Sequence, residues 1–374
     1  MFWGASSSSY QVEGGNKNDW SGVFDAGRAT DHYNRFNEDF DLARSMGHNA
    51  HRFSIEWSRI EPEEGKFNLE EIEHYKKVIL SLRERGMEPF VTIWHFTNPV
   101  WFAEKGGFEN PDSVKYFARY ANMLAYHLGD SVKYWITINE PMIYAANSFF
   151  RGIWPPGKHL AFLSYFKVVR NLILSHKSAY EAIHKNVIGA DVGIAKNNIY
   201  FESDEHIWHL LNKVSEYWWN RYFLNKIKNH QDFIGLNYYF HKHVREPFVG
   251  KEEIHPKNDL GWAINPEGLY YVLEDLKRYS KPIYITENGI ADANDEKRAQ
   301  FIREHLMWMR RAMANNADVR GYFYWSLTDN FEWDKGFGPR FGLIEIDYSN
   351  MERTVRKSAH VYRDIIKSEL RIKN

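Results

Sequence analysis

The sequence contains no cysteine, which excludes disulfide staples, thiolate nucleophiles and zinc sites built on sulfur. It also lacks a surplus of either charge: 48 Lys and Arg stand against 49 Asp and Glu, a formal net charge of −1. A chain so balanced has no global electrostatic pull toward nucleic acid or an anionic membrane, and neutral partners are favoured. No run of about 18 apolar residues occurs, and the start Met1-Phe2-Trp3-Gly4 has neither a basic segment nor a long apolar one. A soluble, cytoplasmic protein is therefore expected. Linkers rich in Pro, Gly or Ser, low-complexity tracts and charge blocks are missing as well, so one domain over residues 1–374 is the economical expectation.

Aromatic residues are what the chain has in plenty, with 14 Trp, 23 Tyr and 25 Phe. Most of these belong to a core, but aromatic faces also stack on the C–H faces of sugars. Apolar runs alternate with helical periodicity along the whole length. Strands are expected at 2–9, 51–55, 89–95, 132–140, 192–197, 233–239, 283–287 and 319–326. Helices are expected at 31–46, 69–85, 112–127, 160–185, 205–228, 266–279, 296–315 and 355–368. In the second of these, Ile72, Tyr75, Ile79 and Leu82 recur at spacings of three and four, with Asn68 and Glu71 as a capping pair. The fifth, at 205–228, carries Ile207, Leu211, Val214 and Trp218 on one expected face, and the helix at 296–315 carries Ile302, Leu306, Met309 and Met313. Eight strands, each followed by a helix, is the (β/α)8 pattern of α/β proteins.

Chemistry gathers at the expected C-terminal strand ends. Two continuous apolar strands finish in a glutamate, Thr137-Ile138-Asn139-Glu140-Pro141 and Ile285-Thr286-Glu287-Asn288-Gly289. A carboxylate there is costly to desolvate, and a pocket that uses it explains its presence. The other strand ends bring Gln11 and Glu13, Arg52 and Glu56, His95, Asn237 and Tyr239, Trp325, and then Glu332-Trp333. On one rim these would form a site with hydrogen-bonding side chains for hydroxyls and aromatic walls for a sugar ring. Glycosidic hydrolysis needs one protonated carboxyl and one ionised one. Arg52 and Tyr239 are placed to keep Glu287 ionised, leaving Glu140 to hold the proton. Once a covalent intermediate consumes the Glu287 charge, the pKa of Glu140 should fall and let it act as a base. His206 and His209 have helical spacing but no evident third ligand, so no metal and no cofactor are expected.

These segments also carry a family resemblance. Those quoted above, with Tyr10-Gln11-Val12-Glu13-Gly14, His51-Arg52-Phe53-Ser54-Ile55-Glu56-Trp57, Trp94-His95, Phe233-Ile234-Gly235-Leu236-Asn237-Tyr238-Tyr239 and Trp325-Ser326-Leu327 through Glu332-Trp333 and Arg340-Phe341-Gly342, resemble family 1 glycoside hydrolases. The resemblance implies a (β/α)8 β-glucosidase or β-galactosidase working by retaining double displacement. It implies Glu140 as acid/base and Glu287 as nucleophile, with Arg52, Tyr239 and Asn237 in support. It implies a sugar held by Gln11, His95, Asn139, Glu332 and Trp333 over Trp325, with Phe341 nearby. The partner would be a small β-glycoside or oligosaccharide, terminal gluco, galacto or fuco, and neither nucleic acid nor membrane. Glu332-Trp333 stands where a branch acting on 6-phospho-glycosides has a phosphate clamp, which argues against phosphorylated substrates. Two departures stand out. Phe96 follows His95 where the family often has tryptophan, and the connections after strands one, four and five look short. An open rim of that kind would favour transglycosylation, while loss of loops that the chemistry needs would leave only a sugar-binding protein.

Overall fold

Apolar strands buried on both faces need a neighbour on each side, and here they find it by closing on themselves. The structure, a computed structural model, describes residues 1–202, 206–243 and 255–371. Its barrel strands are β1 (Phe2–Ser6), β2 (Ala50–Ser54), β3 (Glu88–Trp94), β4 (Tyr134–Asn139), β5 (Asp191–Asn197), β6 (Phe233–Asn237), β7 (Ile283–Asn288) and β8 (Val319–Trp325). All pairings are parallel, and β8 closes on β1 through Phe2↔Gly321 to Ser6↔Trp325. The principal helices that follow the strands are α1 (His32–Ser45), α2 (Leu69–Glu84), α3 (Ser113–Leu128), α4 (Phe162–Asn186), α5 (His206–Glu216), α6 (Pro266–Leu276), α7 (Arg298–Ala314) and α8 (Lys357–Arg371). The fold is the expected single (β/α)8 barrel. Among the described residues no helix is long and apolar enough to cross a membrane.

Helix α2 buries Ile72, Tyr75, Ile79 and Leu82, and Asn68 Oδ1 accepts from the backbone N–H groups of Glu70 and Glu71 at 3.0 and 3.3 Å. Two expectations need correction. The first strand stops at Ser6, and Ser9–Glu13 is a helical turn. Ser7 still donates its N–H to the Arg52 carbonyl at 2.9 Å, but Ser9 finds side-chain partners instead: its N–H donates to Ser54 Oγ at 2.7 Å and its hydroxyl to Glu56 at 3.0 Å. The helix expected at 205–228 is α5, then a wider π-type turn at Tyr217–Arg221, then Tyr222–Ile227, and Glu205 with the Ile207 side chain lies outside the described residues. Of its expected inner face, Trp218 is partly buried, but Leu211 and Val214 are 50% and 57% exposed. Here α5 packs chiefly on the short strand Tyr200–Glu202 and on its own continuation rather than on the barrel wall.

The barrel floor is an aromatic plug from the N-terminal halves of the strands. Phe90 stacks on Tyr134 at 4.3 Å and meets Phe323 and Tyr284 edge-on at 4.7 and 5.1 Å. Phe2, Phe233 and Ile136 complete this layer. With one end sealed by apolar side chains, polar groups have only the other end to occupy.

Candidate active site

Above the plug the strands contribute polar residues to a layer in which nearly every donor meets an acceptor. Arg52 of β2 is fully buried and is its hub. Its guanidinium donates to Glu287 Oε1 at 2.5 Å, Asn139 Oδ1 at 2.7 Å, Thr92 Oγ1 at 3.1 Å and the Thr286 carbonyl at 3.3 Å. Asn237 of β6 donates its amide to Glu140 Oε1 at 2.9 Å and to Asn139 Oδ1 at 3.1 Å. Thr286 Oγ1 donates to Asn237 Oδ1 at 2.7 Å, which fixes that amide's orientation. Tyr239 donates its hydroxyl to Glu287 Oε2 at 2.8 Å.

Backbone geometry aims the two glutamates. Glu140 sits in the left-handed region with φ 43° and ψ 58°, its N–H held by the Ala195 carbonyl at 2.8 Å. Pro141 then opens a helical turn, where a missing N–H costs nothing. Glu287 leaves β7 just before Gly289, where a Cβ would lie 1.8 Å from the Trp325 carbonyl oxygen. Only glycine lets β7 and β8 approach so closely. Asn288 is spent on structure, donating to the Tyr238 carbonyl at 2.7 Å and accepting from the Tyr322 hydroxyl at 2.8 Å.

The electrostatics separate the pair. Burial pushes both carboxyls up. Glu287 has the Arg52 guanidinium and the Tyr239 hydroxyl to hold its charge, and these oppose its burial. Glu140 has one neutral amide. Burial first, then the charge of Glu287, raise it to about 8, against the pull of Asn237, Arg52 and Lys196. The shared negative charge therefore rests on Glu287 and the proton on Glu140. Lys196 on β5 is buried, and burial brings it down to about 7. Its ammonium donates to the Asn197 carbonyl at 2.5 Å and faces the Trp219 ring at 5.7 Å. His95 is held neutral, well below its usual range, by burial and by Arg52. Because Asn139 Oδ1 is taken by two donors, the Asn139 amide donates to His95 Nε2 at 3.2 Å, which assigns the His95 proton to Nδ1.

These groups face a cavity of about 260 Å³ whose lining includes Gln11, His95, Asn139, Glu140, Tyr239, Glu287, Trp325, Glu332, Trp333 and Phe341. Arg52 and Asn237 lie beneath it. Gln11 donates to Glu332 Oε2 at 3.3 Å, and burial with the charges of Glu287, Glu140 and Asp334 pushes the Glu332 carboxyl up to about 8. The rings of Trp325 and Trp333 lie 6.0 Å from His95, both nearly parallel to it. Phe96 stands against Trp154 and Trp333 at 4.9 and 5.3 Å. Glu13 and Glu56, also read as strand-end carboxylates, are turned away. Arg59 and the Tyr75 hydroxyl hold Glu13 at 3.1 and 2.9 Å, while Ser9, Ser58 and Thr97 donate to Glu56. Sequence reasoning missed Trp154 and Trp262, which loops bring to the rim, and Asn147, which the π-type turn Ala146–Phe150 places there. Only the Trp154-Pro155-Pro156-Gly157 turn offered a signal. A larger cavity of about 950 Å³ lies beyond Trp154 but contains neither Glu140 nor Glu287, so its size does not make it the chemical centre.

Known proteins resemble this chain along nearly its whole length. The family model described as Glycosyl hydrolase family 1 matches residues 1–207 and 221–370. A 1,4-beta-D-glucan glucohydrolase of Thermotoga neapolitana is 34% identical over 435 aligned positions, spanning 98% of this chain and 97% of the relative. A beta-galactosidase of Pyrococcus woesei is 30% identical, spanning 89% of this chain and 85% of the relative. Among solved structures, a beta-glycosidase from Pyrococcus horikoshii superposes with a TM-score of 0.93 at 39% identity, covering 99% of this chain and 94% of that one.

Proposed function

The chain belongs to glycosyl hydrolase family 1, and we propose that it is a retaining, exo-acting β-glycosidase that cleaves terminal unphosphorylated glucosides, galactosides or fucosides. The enzyme is a hydrolase of the β-glycosidase type. Glu287 attacks the anomeric carbon and Glu140 protonates the leaving oxygen. One observation supports this division above the others: the guanidinium and phenol hydrogen bonds go to Glu287, and Glu140 keeps a proton up to about pH 8. A glycosyl-enzyme on Glu287 removes its charge, the pKa of Glu140 drops, and Glu140 then takes a proton from water.

The cavity has room for one hexose ring and part of a leaving group, which favours attack on a terminal sugar. Gln11, His95, Asn139 and Glu332 supply hydrogen bonds to hydroxyls, and Trp325, Trp333 and Phe341 supply aromatic walls. Glu332, which keeps its proton to about pH 8, offers hydrogen bonds suited to sugar hydroxyls. The relative's 435 aligned positions against 374 residues here favour shortened connections around the mouth, and with them transfer to acceptors other than water.

The test is turnover of a panel of p-nitrophenyl β-glycosides, gluco, galacto, fuco, manno and 6-phospho-gluco, with the anomeric configuration of the first product read by NMR. Hydrolysis of a neutral member with retention is expected. Inversion, or turnover of the phosphorylated member alone, would overturn the assignment, and folded protein silent on every member would favour sugar binding without hydrolysis.

A further inference from the structure

Outside the catalytic cavity, Glu202, His241 and His255 each offer a ligand atom, and these three atoms lie within 4.8 Å of one another. They come from three places in the chain. Glu202 ends the short strand Tyr200–Glu202, and His241 begins the short strand His241–His243 beside it. The register pairs Tyr200 with His241 and Glu202 with His243 in parallel, so Glu202 and His241 share a face. His255 arrives on the chain that returns toward α6, and its ring meets that of His241 at 4.6 Å, edge to face.

We propose that these three side chains bind one divalent zinc-type ion. Three points no more than 4.8 Å apart share a centre no more than about 2.8 Å from each, so shifts of under about 1 Å reach the 2.0–2.2 Å bonds that zinc makes to imidazole and carboxylate. Two imidazoles with one carboxylate suit zinc or a neighbouring transition ion and disfavour calcium or magnesium, which take oxygen ligands. The fourth position is left to water. His255 Nε2 also lies 3.5 Å from the Asn265 amide, a long contact that a metal bond would replace or adjust.

The site ties the returning chain to the barrel rim. Beyond His255 that chain closes on itself, with the Asn258 N–H bonded to the Trp262 carbonyl at 3.0 Å and the Ile264 N–H to the Pro256 carbonyl at 2.8 Å. It carries Leu260 and Trp262 into the lining of the catalytic cavity. Trp262 packs on Phe240 at 4.6 Å, next to Tyr239. An ion held by Glu202, His241 and His255 therefore fastens one wall of the cavity from behind, away from the reacting carboxyls.

The experiment strips the full chain of metal with a chelator, then titrates it with Zn²⁺ in competition with a chromophoric chelator. Co²⁺ serves as the spectroscopic probe. One equivalent of Zn²⁺ should bind with a dissociation constant below about 1 µM, and Co²⁺ should give the visible bands of a four-coordinate site. His255→Ala and Glu202→Ala should each weaken binding at least about 100-fold, while the double variant His206→Ala with His209→Ala should bind as the parent does. Retained turnover of a p-nitrophenyl glycoside reports that a variant is folded; if His255→Ala is not, His255→Gln and Glu202→Gln carry the same comparison. Absence of stoichiometric binding, affinity unchanged in the folded ligand variants, or loss of binding in the His206/His209 variant would each overturn the proposal.

Discussion

Replacing Arg52 by methionine keeps most of the side chain's length and removes its charge. The guanidinium is fully buried and touches Glu287, Asn139, Thr92 and Thr286, so no water stands ready to take its place. Breaking a buried ion pair from one side costs about 3–5 kcal/mol, because the remaining charge is stranded. Glu287 has an escape, which is to take a proton. Its pKa, already raised by burial and opposed chiefly by Arg52, then moves further up, at about 1.4 kcal/mol for each tenfold loss of ionised nucleophile. The expected result at neutral pH is a fall in kcat/KM of roughly 100- to 1,000-fold. The shape of the pH profile matters more than the size of the loss. Activity needs ionised Glu287 and protonated Glu140, so the acid limb reports the first and the alkaline limb, near 8, the second. In the methionine variant the acid limb should move to higher pH and the bell should narrow and shrink. Arg52→Lys should recover part of the loss, since it restores a charge without the forked geometry. The assay is kcat/KM for a p-nitrophenyl β-glycoside across about pH 4 to 10, with circular dichroism and Tm as checks of folding. A folded Arg52→Met variant with an unshifted acid limb and a loss under about threefold would refute the reasoning.

Glu287→Gly should lower hydrolysis by at least about 10,000-fold yet couple an α-glycosyl fluoride to an acceptor sugar. Full residual hydrolysis, measured after active-site titration to exclude contaminating parent enzyme, would remove Glu287 from its role. In Glu140→Ala, glycosides with poor leaving groups should lose about 100- to 10,000-fold in kcat/KM while activated ones lose less, and azide should restore turnover with a β-glycosyl azide as product. Equal losses across leaving groups would contradict the assignment. Burial brings Lys196 to about 7, so it is only partly charged where it lowers the Glu140 pKa, and in Lys196→Met the alkaline limb should stay at, or rise slightly above, its parent position near 8. Because Glu140 must also give up its proton in the second half of the reaction, kcat limited by deglycosylation should fall at neutral pH. An alkaline limb displaced downward would show that Lys196 acts otherwise.

Local chemistry made much of this legible. Continuous apolar runs marked the strands, helical periodicity with the Asn68 and Glu71 capping pair marked the second helix, and an isolated glutamate after an apolar strand marked a place where a carboxylate needs a reason. Reading failed where partners outside the segment decided the outcome. Ser9 looks like part of a continuing strand until the Ser54 and Glu56 side chains are there to bind it. Glu13 and Glu56 look like pocket carboxylates until Arg59, Tyr75 and Thr97 capture them. Leu211 and Val214 follow a helical stripe, yet among the described residues both stay at least half exposed.

The sequence by itself determined the barrel, because the eight alternations of buried strand and amphipathic helix have a period and a length, and both are local properties. It also singled out the residues able to do the chemistry, since their types and strand-end positions are written in order along the chain. The tertiary structure supplied the physical cause by which Glu140, expected from sequence to hold the proton, keeps it. That depends on Arg52 reaching Glu287 across the barrel, 235 positions away in sequence, and on burial that no single segment creates. It likewise decided that Glu202, His241 and His255 converge, because their separation along the chain follows no ligand motif and only the pairing of two short strands with a returning loop brings them to one point. Periodicity and composition are summed over neighbours in sequence, whereas charge state and coordination are summed over neighbours in space.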